Sequence, residues 1–195
     1  MFKENKLGKL VLITGGARSG KSSLAEQLAL SAAGPATYIA TAAVLDEEMA
    51  LRVKLHQQRR PQNWSTVEET LDLVGALAKV PEKTATVILD CLTIWLTNQL
   101  LKNYDEEDTT ESRIVAIEEK IQAELTRFCA AAAAKPYRTV VVTNEVGCGV
   151  VPAYPLGRVF RDIAGRANQL VARAADSVWL AVCGYPLCVK AYNEC

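Results

Sequence analysis

Histidine occurs once in this chain of 195 residues, at position 56, and the six cysteines include no CxxC pair. A zinc cluster needs four such ligands at close spacing, so no structural zinc site is expected. The cysteines then read as reduced, mostly structural thiols. An excess of one charge is missing as well. The 22 basic and 22 acidic residues cancel, which offers no broad basic surface to a nucleic acid. No apolar run approaches the roughly 20 residues that span a bilayer. The stretch MFKENKLGKLVLITGG lacks the long apolar centre and small-residue cleavage site of a secretory signal. These absences lead us to expect a cytoplasmic protein with no nucleic-acid partner and no membrane span. No linker, repeat or low-complexity segment divides it, so residues 1–195 are expected to form a single domain.

Half of the residues are hydrophobic, enough for a substantial core in a chain of this length. Strand-like runs recur at residues 10–14, 37–41, 86–90, 139–143 and 177–182. Several are continuously apolar rather than alternating, as in strands covered on both faces. Helical segments lie between them at 22–33, 111–134 and 156–175. In the last of these, Val159, Ile163, Ala167 and Leu170 recur every three or four residues. Strands alternating with helices predict crossover units and an α/β fold, a doubly wound, mostly parallel sheet. Residues 103–111 (NYDEEDTTE), polar and acidic, read as a loop.

The first strand runs into Gly15, Gly16, Ala17, Arg18, Ser19, Gly20, Lys21 and Ser22, which fit GxxxxGK[ST], the P-loop. Its glycines let backbone N–H groups wrap a phosphate at the positive end of the following helix. Lys21 can reach the outer phosphates, and the Ser22 hydroxyl can ligate magnesium. An acid to hold the metal is offered by TATVILDCLT, an apolar strand ending in Asp90. Alone, Asp90 could equally cap a turn. The next strand end, VVVTNEVGCGVVP, places Thr143, Asn144 and Glu145 beside a glycine-rich turn. Ligands in such sheets collect at the carboxyl ends of strands. Glu145 could orient or deprotonate a hydroxyl, or merely satisfy backbone donors.

The single histidine sits in LDEEMALRVKLHQQRRP. Asp46 suits an N-cap, Glu47 and Glu48 suit the first turn of a helix, and Pro61 stops it. Arg52, His56 and Arg60 fall one turn apart, with Arg59 near the same face. One reading is a surface histidine near a helix C-terminus, which the helix dipole favours. The other is a neutral imidazole acting as nucleophile toward a nucleotide α-phosphate, with the arginines stabilising the developing charge.

Taken together and in order, TGGARSGKS (14–22), YIATAAVLDEEMALRV (38–53), His56 with RRPQNW (59–64), ILDCLTIWLTNQL (88–100), TNEVGCGVVP (143–152) and FRDIAGRANQLVARAADSVWL (160–180) resemble one family. It is the bifunctional adenosylcobinamide kinase/adenosylcobinamide-phosphate guanylyltransferase family of cobalamin synthesis. The resemblance implies a P-loop NTPase-type α/β fold with helices on both faces of the sheet, and a homotrimer. It implies two reactions. ATP or GTP phosphorylates the aminopropanol hydroxyl of adenosylcobinamide. GTP then gives GMP to an enzyme histidine, from which adenosylcobinamide phosphate takes it. The matching histidine is His56. Gly15 through Ser22 match the phosphate loop, with Lys21 catalytic. Ala40, Thr41, Ala42, Gln57, Gln58, Arg59, Arg60, Glu68 and Asp90 match positions expected to contact guanine nucleotide. Ser22 and Asp90 are the expected ligands of Mg2+.

An ordinary P-loop small-molecule kinase without a covalent histidine is the alternative. Such kinases usually carry an arginine-rich lid, for which no segment is evident. A nucleotide switch would typically show an NKxD-like motif, which TNEVG is not.

Overall fold

The computed structural model describes residues 8–42, 60–105, 108 and 110–191. In chain order the elements are β1 (Leu10–Gly15), α1 (Lys21–Ser31), β2 (Ala36–Ala40), β3 (Ser65–Glu68), α2 (Leu73–Ala78), β4 (Thr86–Asp90), α3 (Leu92–Asn103), α4 (Glu111–Ala133), β5 (Arg138–Val142), a 3-10 turn (Val146–Cys148), α5 (Pro155–Ala174), β6 (Ser177–Val182) and β7 (Tyr185–Lys190). The helix expected around His56 lies outside the described residues.

The strands form one sheet in the order β3-β2-β4-β5-β1-β6-β7. All pairs are parallel except β6 with β7. Every residue of β1 is buried, which is why LVLITG carries no alternation: both faces are covered. The two-residue period sorts its side chains into two cores. Leu10 and Leu12 join Val87, Leu89 and Val141 beneath α2, α3, α4 and α5. Val11 and Ile13 join Tyr38, Ile88, Val140 and Trp179 beneath α1. The doubly wound α/β expectation holds.

Each helix is specified locally. Asp72 caps α2 by accepting from Gly75 N at 2.8 Å. On α4, Ile117, Ile121, Leu125, Phe128 and Ala132 repeat every three or four residues and are all buried. Pro155 opens α5 where an amide hydrogen would have no helical partner. The far end of α5 is held by Lys190 of β7, whose Nζ donates to the carbonyls of Ala172, Arg173 and Ala175. An ammonium on the last carbonyls of a helix complements its dipole.

Four elements carry too little local signal to be anticipated from the sequence: β3, β7, α2 and α3. The short β3 (STVE) pairs only with β2 and alternates in burial, so it has no apolar run to announce it. In β7, Pro186 is tolerated because this is an edge strand. The segment CGYPLCVK, near the end of the chain, is thereby the turn and outer half of a β6–β7 hairpin. Among the described residues no helix is long and apolar enough to cross a membrane.

No disulfide joins the five described cysteines, but they are not mostly structural. Cys148, Cys183 and Cys188 are exposed, Cys91 is half-buried and only Cys129 is fully buried. Burial, and secondarily the Asp90 carboxylate, pushes the Cys91 thiol up to about 11. Burial alone pushes Cys129 up to about 11. Thiolate is the reactive species, so at pH 8 these two should alkylate on the order of a hundredfold more slowly than an ordinary thiol. Peptide mass mapping after brief iodoacetamide treatment should find label on Cys148, Cys183 and Cys188 first. Equal labelling of Cys91 and Cys129 would contradict the packing described.

Candidate active site

The turn from β1 into α1 is a tight loop held from both sides. Gly15 has φ 152° and Gly20 φ 96°, values that side chains resist. A Cβ on Gly15 would lie 2.6 Å from the Ala181 carbonyl, and one on Gly20 would lie 2.9 Å from Gly184 Cα. Glu145 N donates to Gly15 O at 3.1 Å, and Gly184 N to Ser19 O at 2.9 Å. The loop is thus wedged between the end of β5 and the β6–β7 turn. Ser19 N closes it on Gly16 O at 3.2 Å. Gly16, Ala17 and Arg18 are exposed at its tip. The Ser19 hydroxyl is buried without a hydrogen-bond partner.

Lys21 and Ser22 are half-buried in the first turn of α1, where helix N–H groups have no helical acceptors. The Lys21 ammonium folds back over the loop, donating to Gly16 O at 2.6 Å and to Asn144 Oδ1 at 3.3 Å. Burial lowers its pKa, and the neighbouring Cys91, Asp90 and Glu145 oppose that fall. A desolvated cation beside open helix N–H groups is an anion site.

Beyond β5, the carboxyl ends of β4, β2 and β3 line up along the same edge. Ala40 pairs with Asp90 across β2 and β4, and with Glu68 across β2 and β3. Thr41 Oγ1 accepts from Cys91 N at 2.9 Å and donates to Cys91 O at 2.8 Å. Asn98 Nδ2 binds Thr41 O at 2.9 Å and Thr70 O at 3.1 Å. Ala42 is half-buried next to them, and Glu68 is exposed. Asp90 Oδ2 accepts the Tyr38 hydroxyl. Burial raises the Tyr38 phenol, and the Asp90 charge and hydrogen bond raise it further.

Arg60 contacts residues of β2 and α1. Its guanidinium lies 3.3 Å from the centroid of the Tyr38 ring and 4.0 Å from Glu26 Oε1 of α1. It packs on the α1 face of the sheet as a cation on an aromatic ring. The structure therefore brings Gly15, Gly16, Ala17, Arg18, Ser19, Gly20, Lys21, Ser22, Ala40, Thr41, Ala42, Glu68 and Asp90 to one edge. Arg60 lies on the ring of Tyr38, whose hydroxyl binds Asp90 of that edge. His56, Gln57, Gln58 and Arg59 lie outside the described residues.

A polar cluster behind β5 completes the site. Asn144 N donates to Thr93 Oγ1 at 2.9 Å, and Thr93 Oγ1 lies 3.4 Å from Thr143 Oγ1. Thr143 Oγ1 donates to Asn168 Oδ1 at 2.7 Å, and Asn168 Nδ2 donates to Asn144 O at 3.1 Å and to Glu145 Oε1 at 3.4 Å. The ring closes on the residue where it began. Thr14 Oγ1 also donates to Glu145 Oε1. Thr14, Thr93 and Asn168 join this cluster from positions that the sequence did not single out. For Asn168 a signal existed: it is a polar residue on the buried stripe of α5, between Ala167 and Val171. A buried amide without partners costs about 1–3 kcal/mol, so such a residue points to a network.

Residues 11–189 match the family described as cobinamide kinase / cobinamide phosphate guanyltransferase. The chain is similar to the bifunctional adenosylcobalamin biosynthesis protein CobU of Escherichia coli, with 44% identity over 181 residues, 93% of this chain and 99% of that protein. It is also similar to the CobU of Salmonella typhimurium, 43% identical over 183 residues, 93% of this chain and 99% of that one. The bifunctional adenosylcobalamin biosynthesis protein CobP of Pseudomonas aeruginosa is 41% identical over 179 residues, covering 92% and 96%. Among solved structures, a RadB recombinase superposes with a TM-score of 0.48 at 16% identity, covering 90% of this chain and 74% of that one. That likeness is too slight to support any functional conclusion.

The loop geometry separates its glycines. Gly20→Ala should cost roughly 1–3 kcal/mol, because it meets both a positive φ and the Gly184 backbone. Gly16 has no positive φ, and a Cβ there would meet nothing within 4 Å, so it should accept alanine within about 0.5 kcal/mol. Thermal unfolding of the two variants checks this; equal losses would show that the wedge does not constrain the loop.

Proposed function

Because the chain belongs to the cobinamide kinase / cobinamide phosphate guanyltransferase family, a family of bifunctional enzymes of cobalamin biosynthesis, we propose the following course for its two reactions. ATP or GTP, held in the loop from Gly15 to Ser22, phosphorylates the aminopropanol hydroxyl of adenosylcobinamide. GTP then transfers GMP to His56, and adenosylcobinamide phosphate takes it up to give adenosylcobinamide-GDP. The observation that carries this reading is the placement of Lys21. Its ammonium lies over the phosphate loop, within the field of Asp90 and Glu145. Charge-assisted contacts from such a lysine stabilise the outer phosphates and the charge that builds on them during transfer.

The guanylyl-histidine rests on sequence. An imidazole near its ordinary pKa of about 6.5 is mostly neutral at pH 7–8, and neighbouring arginines favour that neutral, nucleophilic form. In the transfer, imidazole nitrogen bonds to the α-phosphorus as pyrophosphate leaves. The hydroxyl-derived phosphate of the corrinoid then displaces histidine from the same phosphorus. Ala40, Thr41, Ala42, Gln57, Gln58, Arg59, Glu68 and Asp90 are read as the guanine-nucleotide contacts. Arg60, whose guanidinium lies on the Tyr38 ring, is read as a guanine-nucleotide contact with them.

Magnesium fits the donors present. Ser22 and Asp90 offer hard oxygen ligands, and the Tyr38 bond occupies only one Asp90 oxygen. Among the described residues no group of three or more His, Cys, Asp or Glu could hold a metal ion. Phosphate oxygens and water would complete the shell of an ion held by Ser22 and Asp90. When bound, it neutralises phosphate charge. The chain is further read as one catalytic domain working as a cytoplasmic homotrimer, the assembly implied by the family resemblance. Sedimentation equilibrium should return three times the chain mass; a monomer at micromolar concentration would remove the trimer from the reading.

The decisive experiment concerns His56. Incubation with magnesium and GTP labelled at the α-phosphate should label the protein, whereas label at the γ-phosphate should not remain. The phosphorus–nitrogen bond should be lost in acid and survive base. His56→Asn should abolish labelling and GMP transfer but retain corrinoid phosphorylation. An acid-stable adduct, or full labelling of His56→Asn, would leave the plain P-loop kinase as the reading.

A further inference from the structure

We propose that Glu145 accepts the proton of the corrinoid hydroxyl during phosphoryl transfer, and that Asn168 is the positioning residue that holds it in place. The inference rests on the kinase half of the function proposed above.

Glu145 stands at the right place in the sheet. It follows β5, the strand between β1, which leads into the phosphate loop, and β4, which ends at Asp90. Its own N–H binds the carbonyl of Gly15, the first loop residue, at 3.1 Å. Its neighbour Asn144 binds the Lys21 ammonium. Residue 145 is therefore tied at the main chain to the loop, and through residue 144 to the lysine that reaches outer phosphates.

The carboxylate is held asymmetrically. Oε1 takes two donors, the Thr14 hydroxyl and Asn168 Nδ2. Oε2 takes none among the described residues. Anchoring one oxygen fixes the orientation of the group and leaves the other with its lone pairs for a substrate proton. Asp90, the other acid of the edge, is engaged by the Tyr38 hydroxyl and is the group suited to the metal. A division of labour between two carboxylates follows from their partners.

Asn168 is what makes the arrangement rigid. It comes from α5, a different element from the loop and from β5, and it is 8% exposed. Its amide reads three groups at once: the Thr143 hydroxyl, the Asn144 carbonyl and Glu145 Oε1. Thr93, at the start of α3, closes the ring through Asn144 N. Rotation of Glu145 away from the loop would leave the Thr14 hydroxyl and one Asn168 amide hydrogen without their acceptor.

In the step itself, the hydroxyl oxygen of the aminopropanol arm bonds to the γ-phosphorus. The bond from that phosphorus to the β,γ-bridging oxygen breaks, and the nucleoside diphosphate leaves with the electron pair. The hydroxyl proton passes to Glu145 Oε2 and then to solvent.

The test measures steady-state phosphorylation of adenosylcobinamide by the full chain carrying Glu145→Gln, Asn168→Asp, or both, with Glu145→Asp as the conservative variant. A positioned base contributes about a hundredfold or more, so Glu145→Gln should lower kcat by about that factor while nucleotide KM stays within about threefold. Glu145→Asp should recover part of the loss. Asn168→Asp keeps the shape and the acceptor for Thr143 but removes both donors, and should lower kcat about tenfold or more. Because Asn168 acts through Glu145, the double variant should be no slower than Glu145→Gln alone. Should Asn168→Asp fail to fold, as judged by near-ultraviolet circular dichroism, Asn168→Ser takes its place in the same cycle. Retention of kcat within about threefold by folded Glu145→Gln, or losses that multiply in the double variant, would overturn the inference while the functional reading stands. Failure of the parent to phosphorylate adenosylcobinamide would overturn that reading and this inference with it.

Discussion

The structure depends on β1 being hydrogen-bonded on both edges and buried on both faces. Leu12 is aligned with Val141 of β5 on one side and Val178 of β6 on the other. A slip of one residue would exchange Leu10 and Leu12 with Val11 and Ile13 between two cores that neither pair fits. The strand cannot move, so the level at which it ends is set. Gly15 then meets Glu145 N, and Ser19 meets Gly184 N. The phosphate loop inherits its shape from its neighbours as much as from its own glycines.

That inheritance explains why the site is built from such distant parts of the chain. The loop comes from residues 15–22, the acid from β4, the polar ring from β5, α3 and α5, and the outer brace from the β6–β7 turn. In a parallel sheet every strand points its carboxyl end to the same edge, so each crossover returns another set of polar residues there. The faces of the sheet are spent on apolar packing, whereas at this edge the strand ends leave backbone groups that are not committed to the ladders.

The electrostatics follow the same logic. A half-buried lysine is costly unless charge or hydrogen bonds surround it. Here Gly16 O and Asn144 Oδ1 accept from it, and Asp90 and Glu145 supply negative charge nearby. The contact with Gly16 O is one that a phosphate oxygen would replace by a stronger, charge-assisted one. Arg60 is held differently: it is drawn to Tyr38 and Glu26 on the α1 face, and the phenol beneath it binds Asp90.

The sequence by itself determined the α/β class, the five central strands within a residue at each end, the helices α1, α4 and α5 and the phosphate loop. All of these are signalled by neighbours in the chain: continuous apolar runs, a helical repeat, a glycine spacing. It also marked Asp90 as an acid suited to a metal and Glu145 as one that could orient or deprotonate a hydroxyl, each with a purely structural alternative left open. Only the tertiary structure distinguished their surroundings, because Tyr38, Thr14 and Asn168 reach them from positions that no local pattern connects. The edge strands β3 and β7 likewise depended on their partners, since a strand with one neighbour needs no apolar run of its own. The placement of Arg60 belongs to the same class. Its place follows from an aromatic ring on β2 and a carboxylate on α1, and competition among contacts distant in sequence is settled only when the chain is packed.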